Sequence, residues 1–202
     1  MDGRTIAAYE ANVDAIFRRF INHDRTRVHD RIQPFLIPGG LTADIGCGSG
    51  ADLAWLNSIG LPAIGYEPTR SLRHCAQKRF VNLDIRADSL PELASVDDGK
   101  FVSVLCSAVL MHVPPESLAN AIGNLARILA PGGRIVLSWR RGKGNAERED
   151  DGRLFNPIDA GELADQFGAA GVTQIDTWTE PDPNRPGLEW TTWIGEKRQG
   201  GG

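Results

Sequence analysis

The chain is poor in cysteine, and its few cysteines form no recognisable motif. Cys47, Cys75 and Cys106 are odd in number and lie in apolar or glycine-rich stretches without CxxC or Cys-His spacing. Because a free cysteine is most often a small buried side chain, we expect three unpaired thiols. The four histidines are scattered, with no HExxH or paired-ligand pattern. The sequence therefore predicts neither a disulfide framework nor a metal site.

Long apolar runs and an excess of positive charge are missing as well. No stretch approaches the roughly 20 apolar residues that a membrane-spanning helix needs. The N-terminus, Met1-Asp2-Gly3-Arg4, lacks the basic-then-apolar order of a secretion signal. Lys and Arg number 22 against 26 Asp and Glu, a net charge of -4, which disfavours non-specific binding to nucleic acid. We therefore expect a cytoplasmic protein with neither a membrane nor a nucleic acid as partner.

What the sequence does contain is the alternation of an α/β domain. With 202 residues, of which 41% are hydrophobic, the chain is long enough for one domain around one core. Apolar residues recur at helical spacing over residues 5–21 and 24–36, which predicts two amphipathic helices. From residue 41 onward, short apolar stretches alternate with helical ones. Predicted strands cover residues 41–45, 61–66, 81–85, 101–106, 134–139, 173–179 and 188–195, with helices over 52–59, 71–80, 115–129 and 159–170.

Three segments carry no such pattern. Residues 140–153 are glycine-rich and densely charged with both signs, which predicts a solvated loop, either floppy or a lid. Residues 180–187 are rich in proline and connect the last two strands, which we expect to pair as an antiparallel hairpin. Residues 198–202 are predicted to be a disordered tail. The organisation is thus a helical cap over 1–40, an α/β domain over 41–197 and the tail.

The first strand leads into a glycine turn, Gly46-Cys47-Gly48-Ser49-Gly50, and then a helix. This order brings backbone amides to the carboxyl edge of a parallel sheet, where open α/β folds bind ligands. Alone the turn is weak evidence, because glycine turns also occur simply where a strand doubles back into a helix. Its neighbours strengthen it. Glu67 ends the second strand, where a carboxylate accepts hydrogen bonds from both hydroxyls of a ribose, and Asp88-Ser89 follow the third, within reach of an adenine.

The glycine spacing separates two kinds of cofactor. A dinucleotide fingerprint is G-x-G-x-x-G, whereas here Gly50 comes one position early and Ala51 takes the place of the final glycine. This spacing disfavours NAD, so a nicotinamide-dependent reductase is the weaker alternative.

At this point the sequence resembles the class I, seven-stranded S-adenosylmethionine-dependent methyltransferases. The resemblance extends from residue 41 to the last strand, which makes 41–197 the methyltransferase domain. It rests on Asp44-Ile45-Gly46-Cys47-Gly48-Ser49-Gly50, Gly65-Tyr66-Glu67-Pro68, Ala87-Asp88-Ser89 and Leu129-Ala130-Pro131-Gly132-Gly133. It implies an α/β fold with a doubly wound sheet of strand order 3-2-1-4-5-7-6, the last strand antiparallel, and N-terminal helices that cap the site.

The resemblance also assigns residues to parts of S-adenosylmethionine. Asp44 and the glycine turn, including Cys47, would hold the methionine end. Glu67 and the adjoining Pro68 would hold the ribose, and Asp88 with Ser89 the adenine. Ser107 and Ala108 would line the sulfonium side. Within the cap, Tyr9 and Arg25 are candidates for contacting cofactor or substrate, although a tyrosine packed on the core is an alternative explanation.

The acceptor side of the site is less defined. His112 follows the fourth strand by a few residues and is the candidate base if the acceptor is a hydroxyl or a protonated amine. Its alternative role is to order the loop after that strand. Arg140 and Arg141 leave the fifth strand on the same edge, where a guanidinium could bind a carboxylate or phosphate of the acceptor, unless both are simply solvated.

Methyl transfer from a sulfonium mainly requires alignment and the exclusion of water. Methyltransferases of DNA adenine and protein glutamine resemble one another in an Asn or Asp-Pro-Pro-aromatic tetrad, but here that place reads Ser107-Ala108-Val109-Leu110. We therefore expect transfer to an O, N or C atom of a small molecule, with S-adenosylhomocysteine as product. The alternative is a non-catalytic cofactor-binding module or a domain of a larger assembly. Pairing into a homodimer is left open.

Overall fold

The computed structural model describes residues 1–141, 147–182 and 185–200. Its strands are β1 Thr42–Ile45, β2 Ala63–Tyr66, β3 Asp84–Arg86, β4 Phe101–Ser107, β5 Leu129–Arg140, β6 Glu147–Arg148, β7 Leu154–Phe155, β8 Val172–Pro181 and β9 Glu189–Lys197. Seven strands form one sheet in the order β3-β2-β1-β4-β5-β9-β8. The first five are parallel, and β9 runs antiparallel to both β5 and β8. Since β6 and β7 lie outside this sheet, the predicted order 3-2-1-4-5-7-6 is confirmed.

Helices cover both faces of this sheet. They are α1 Gly3–Ala11, α2 Val13–Ile21, α3 Thr26–Ile32, α4 Ala51–Ser58, α5 Arg70–Arg79, α6 Leu118–Ile128 and α7 Ala160–Ala169. Two neighbouring residues of β4 show why the sheet needs a layer of helices on each face. Val104 and Leu105 point to opposite faces of the sheet, and both are buried. Val104 packs in one core with Leu125 of α6, whereas Leu105 packs in a second core with Leu53 of α4.

The N-terminal cap consists of shorter helices than the sequence predicts. The single helix predicted over residues 5–21 is interrupted at Asn12, whose backbone leaves the helical conformation at φ -121° and ψ 25°. Asp2 caps the first piece by accepting a hydrogen bond from the Thr5 N–H at 2.8 Å. The interruption turns α2, so that α1 and α2 both lie against α5, where Tyr9 and Ile16 pack on Leu72.

The predicted loop over residues 140–153 is partly a hairpin. Residues 142–146 of it lie outside the described part of the chain. Beyond them β6 pairs with β7 in a two-stranded antiparallel sheet. Tertiary contacts hold this hairpin: Arg148 pairs with Asp2 at 2.9 Å, and the Leu154 N–H donates to Thr5 Oγ1 at 2.9 Å. The hairpin is therefore fastened to the cap through Arg148 and β7, while both residues of β6 stay exposed.

Two further features concern the edges of the molecule. The outermost strand β8 has a register shift against β9 between Gln174 and Asp176. After β9, the Arg198 N–H donates to the Gly171 carbonyl at 2.9 Å, while residues 201 and 202 of the predicted tail lie outside the described part.

No helix in the described segments is long and apolar enough to cross a membrane. Those segments also bring together no group of three or more His, Cys, Asp or Glu suited to a metal ion.

Candidate functional site

The glycine turn lies between β1 and α4, and its backbone needs glycine. Gly46, Gly48 and Gly50 have φ of 71°, 51° and 75°, in the left-handed region that other residues rarely adopt. A side chain would also meet neighbours: a Cβ on Gly46 would collide with Val109 Cγ2 at 2.4 Å, and one on Gly48 would make a tight contact with Phe20 at 3.3 Å. The turn therefore packs against the segment after β4 on one side and against α2 on the other.

Glu67 follows β2 and lies directly beside this turn. Its carboxylate accepts hydrogen bonds from the Gly48 N–H at 3.0 Å and the Thr69 N–H at 2.8 Å. Burial, with 4% of the residue exposed, raises the pKa of Glu67, and these two amide donors counteract part of that rise. The structure thus holds a buried carboxylate between the glycine turn and the beginning of α5. Pro68 adjoins it, and the Pro68 carbonyl accepts a hydrogen bond from Arg73 at 2.8 Å.

Asp44 lies in β1, two residues before the turn, and is 2% exposed. Burial raises its pKa well above the usual range, and the nearby carboxylates of Asp52 and Glu67 act in the same direction, while Arg25 opposes them. Its Oδ2 has no hydrogen-bond partner within the described residues. A buried carboxylate oxygen without a donor is costly, so this position calls for a ligand that donates hydrogen bonds.

The strand ends on either side supply the other predicted cofactor residues. Asp88, after β3, accepts from the Ser89 N–H at 2.7 Å and from Ser95 Oγ at 2.6 Å, so it organises its own loop. After β4, Ala108 adopts a left-handed φ of 60°, and its N–H donates to the Ser138 carbonyl at 2.8 Å. Ser107 contacts Ser138 through the two hydroxyls at 2.9 Å. Cys47, inside the turn, is a buried thiol whose pKa is raised by burial.

Arg25 and His29, from the cap, meet α4 at Asp52. Arg25 Nε lies 3.1 Å and His29 Nε2 lies 2.8 Å from the same oxygen, Asp52 Oδ1. The His29 ring stacks on Trp55 with centroids 3.8 Å apart. Because α4 begins at the glycine turn, this contact fastens the cap to the end of the turn, and it brings the Arg25 charge close enough to Asp44 to influence its pKa.

Tyr9 and His112 form a buried pair at the other side of the turn. Tyr9 Oη and His112 Nε2 are 3.1 Å apart, and His112 Nδ1 lies 2.6 Å from the Leu154 carbonyl oxygen. A carbonyl only accepts, so Nδ1 carries the hydrogen and Nε2 accepts from the Tyr9 hydroxyl. Burial lowers the pKa of His112 to about 4, with Arg153 and Arg140 contributing to the decrease. His112 is therefore neutral near pH 7, and its lone pair is occupied by Tyr9.

The two arginines predicted to bind the methyl acceptor lie in different environments. Arg140 is largely buried, with 16% of its side chain exposed, and pairs with Glu149 at 2.6 Å. Arg141 is 60% exposed and pairs with Glu189 at 3.2 Å on the surface. Sequence reasoning missed Arg153, which joins Arg140 on Glu149 at 3.0 Å. Nothing in the local sequence distinguishes Arg153 from the other charges of its segment. Phe20 and Val109, which border the glycine turn, were missed as well, although the helical stripe of the cap already contains Phe20.

Comparison with known proteins adds to this geometry. The model of a family described as a methyltransferase domain matches residues 43–137. A ubiquinone biosynthesis O-methyltransferase from Xanthomonas oryzae pv. oryzae is 31% identical over 107 residues, which cover 50% of this chain and 44% of that protein. The match thus spans less than half of the relative's length. The carboxyl ends of β1 to β4, which carry the predicted cofactor residues, lie inside the range 43–137 that the family model matches.

Two solved structures share the fold. One is a 1,6-didemethyltoxoflavin-N1-methyltransferase from Burkholderia thailandensis with bound 1,6-didemethyltoxoflavin and S-adenosylhomocysteine; it is 19% identical, with a TM-score of 0.71 over 96% of this chain and 88% of that one. The other is the complex between the Haloferax volcanii Trm112 methyltransferase activator and the putative methyltransferase, 15% identical, with a TM-score of 0.77 over 98% of this chain and 99% of that one.

Proposed function

Because the chain belongs to the class I, seven-stranded S-adenosylmethionine-dependent methyltransferases, we propose that it moves a methyl group from S-adenosylmethionine to a small-molecule acceptor and releases S-adenosylhomocysteine. The acceptor atom is an oxygen, nitrogen or carbon, and oxygen is favoured because the curated relative is named an O-methyltransferase. The observation that carries the proposal is the pair of buried carboxylates, Asp44 and Glu67, on either side of a turn built from three left-handed glycines.

The residues around the turn fit this cofactor. The unpartnered Asp44 Oδ2 would accept from the ammonium of the methionine end, and the glycine turn beside it presents backbone without side chains, as close approach of a ligand requires. The Glu67 carboxylate already accepts two amide N–H bonds, which fix its direction, and would accept the hydroxyls of the ribose as well. Asp88 and Ser89 would serve the adenine, with Ser107 and Ala108 beside the sulfur.

When bound, S-adenosylmethionine supplies a methyl group activated by a positively charged sulfur, and a lone pair of the acceptor bonds to the methyl carbon as the sulfur leaves. The protein then needs to align the acceptor in line with that bond and to keep water out. The cap serves the second task, since Phe20 of α2 covers Gly48 and Tyr9 of α1 closes toward His112. If the acceptor loses a proton, the Tyr9 oxygen would receive it while the phenol proton passes to His112 Nε2. With a pKa of about 4, His112 is a weak base, so its main task is to position Tyr9.

Calorimetric titration with S-adenosylhomocysteine tests the proposal. The unsubstituted chain should bind it, and Glu67→Ala should weaken binding by about 1 to 3 kcal/mol, the usual loss for charge-assisted hydrogen bonds to a buried partner. Glu116→Ala, on an exposed carboxylate, is the matched control and should leave the affinity unchanged. Binding of NADH without binding of S-adenosylhomocysteine would overturn the proposal in favour of a nicotinamide-dependent enzyme.

The alternative is a cofactor-binding module that acts within a larger assembly. The Haloferax volcanii structure is the observation that supports this alternative, because the putative methyltransferase in it is in complex with an activator. Release of S-adenosylhomocysteine in the presence of a panel of phenols, amines and carbon acids separates the two. Cofactor binding without turnover on any acceptor class would favour the module.

A further inference from the structure

Two arginines beside His112 share one carboxylate. Arg140 Nη1 donates to Glu149 Oε1 at 2.6 Å, and Arg153 Nη2 donates to Glu149 Oε2 at 3.0 Å. The arginine side chains are 16% and 11% exposed, whereas that of Glu149 is 35% exposed. Glu149 thus bridges the arginines from the outer side. Its backbone belongs to the turn that joins β6 to β7, outside the main sheet, so a rotation of its side chain breaks no strand pairing of that sheet.

Aromatic rings fix the direction of both guanidinium groups. The guanidinium carbon of Arg140 lies 3.6 Å from the centroid of the Phe155 ring, and that of Arg153 lies 5.5 Å from the same ring. Phe155 in turn meets the His112 ring edge-on, with centroids 4.9 Å apart. Arginines held in this way are suited to binding a planar anion through two parallel hydrogen bonds. Within the described residues, the Arg140 side chain donates no other hydrogen bond, so donors remain for a ligand.

The cluster lies on the same edge of the sheet as the proposed cofactor site. Arg140 ends β5, two residues beyond Ser138, and Ser138 contacts both Ser107 and Ala108 at the end of β4. From the other side, the Arg153 guanidinium carbon lies 5.7 Å from the centroid of the Tyr9 ring. A molecule bound to the two arginines would therefore reach the region where Tyr9, His112 and the end of β4 meet.

We propose that Arg140 and Arg153 bind a carboxylate of the methyl acceptor. This carboxylate replaces that of Glu149 between the two guanidinium groups. This inference rests on the proposed methyl transfer and adds the class of acceptor, an organic acid. Arg140, Arg153, Glu149 and Asp151 together carry no net charge, since Asp151 pairs with Arg153 at 2.7 Å. When Glu149 leaves, one positive charge is uncompensated in a largely buried place, and a single carboxylate restores the balance. A phosphate dianion would leave an excess negative charge.

Benzoate is the probe for this site, because it is a planar carboxylate of small size. Titrated into the full chain with S-adenosylhomocysteine present, it should bind Glu149→Ala at least about tenfold more tightly than the unsubstituted chain, since the competing internal carboxylate is gone. Glu149→Gln, which keeps the volume of the side chain but not its charge, should change the affinity in the same direction. Benzamide, with the same ring and no charge, should bind neither variant.

The arginines are tested in the Glu149→Ala background. Arg140→Gln and Arg153→Gln should each weaken benzoate binding by about tenfold or more, the effect of losing charge-assisted hydrogen bonds. Arg141→Gln is the matched control, because Arg141 is the adjacent arginine but pairs with Glu189 at the surface, and benzoate affinity should not change. If a Gln variant fails to fold, Arg153→Lys and Arg140→Lys keep the charge, lose the planar fork and should show a smaller loss of affinity.

Three results would overturn the inference: equal benzoate affinity with and without Glu149, equal binding of benzamide, or equal weakening by Arg141→Gln. Tighter binding of inorganic phosphate than of benzoate would overturn it as well, because the site would then select a phosphate over a carboxylate. The outcome is separable from that of the proposed function. S-adenosylhomocysteine binding is measured first, and if it fails, the benzoate titration of the free protein still tests the two arginines.

Discussion

At the scale of single residues, the site is defined by ionisable groups that the fold has buried. Burial raises the pKa of Asp44 and of Glu67 and lowers that of His112, so all three are shifted toward their uncharged forms. The two acids differ in what compensates them. Glu67 accepts two amide N–H bonds, whereas Asp44 retains an oxygen without a donor. Asp44 is accordingly the position where a bound ammonium would contribute most to stability.

The shifted pKa of His112 predicts a pH-dependent stability. The unfolded histidine takes up a proton near its ordinary pKa of 6.5, but the folded one does so only near 4. Between these values the unfolded state binds more protons, so falling pH destabilises the fold. The free energy of unfolding of the unsubstituted chain minus that of His112→Gln should therefore decrease by about 1 kcal/mol from pH 7.5 to pH 5.5.

Urea unfolding at a series of pH values measures this difference. The constant cost of losing the His112 hydrogen bonds cancels, because only the change in the difference with pH matters. The opposing contributions of Asp44 and Glu67, whose raised pKa values favour the fold at low pH, are common to both proteins. Parallel stability curves for the two proteins would show that His112 titrates normally in the folded chain.

At the scale of elements, a carboxylate of the cap closes the beginning of α5. Thr69, the residue before that helix, makes no side-chain capping bond. Glu10 of α1 supplies the missing acceptor from outside, since its Oε1 accepts from the Arg70 N–H at 2.6 Å and its carboxylate also bonds the Ser71 hydroxyl. A negative charge at a helix N-terminus stabilises the helix through its exposed amides and its dipole. One residue thus joins two elements that are 60 positions apart in the sequence.

Glu10→Gln should lower the stability of the fold modestly. The expected loss is about 0.5 to 1 kcal/mol, the usual range for a charged group at an exposed helix N-terminus, and it should shrink as salt is raised. Urea unfolding of the variant at low and high ionic strength measures both effects. Asp165→Asn, at an exposed carboxylate in the middle of α7 that makes no hydrogen bond to another helix within the described residues, is the control. An equal loss in both variants would remove the capping role of Glu10.

At the scale of the whole molecule, the cap lies over the site where the cofactor is proposed to bind. Tyr9 and Ile16 pack on α5, Phe20 covers Gly48, and Arg25 reaches Asp52. A ligand as large as S-adenosylmethionine enters such a site only if the cap moves, and once bound it would hold the cap closed. Local opening of α1 to α3 is thus expected in the free protein.

Hydrogen exchange tests this expectation. Amides of residues 3–32 should exchange more slowly when S-adenosylhomocysteine is added, because binding selects the closed cap. Amides of β4 and β5, in the middle of the sheet, should change little and provide an internal reference. Equal protection of the cap with and without the ligand would contradict opening, provided that binding has been verified in the same sample.

The sequence and the structure agree most where local pattern and tertiary contacts require the same thing. The α/β alternation could be predicted, because most of the short apolar stretches after residue 41 are followed by a helical one and the glycine turn marks the first crossover. The strand order followed from the resemblance to the seven-stranded methyltransferases. The break at Asn12 and the β6–β7 hairpin could not. Both depend on partners distant in sequence, such as Arg148 on Asp2 and Leu154 on Thr5. Arg153 was missed for the same reason: its role depends on Arg140 and Phe155, which only the fold brings to it.

The register shift in β8 has a consequence for how copies of the chain meet. An outermost strand presents unpaired amides and carbonyls, and a long regular one invites another chain to add itself to the sheet. Here an irregularity at Gln174 and Asp176 divides a ten-residue strand, and the exposed Asp176 adds a charge at the same point. A regular strand from another chain could match the hydrogen-bonding register of β8 only over the short stretch on one side of the irregularity. The irregularity and the charge therefore both oppose the pairing of this edge with the edge of another sheet.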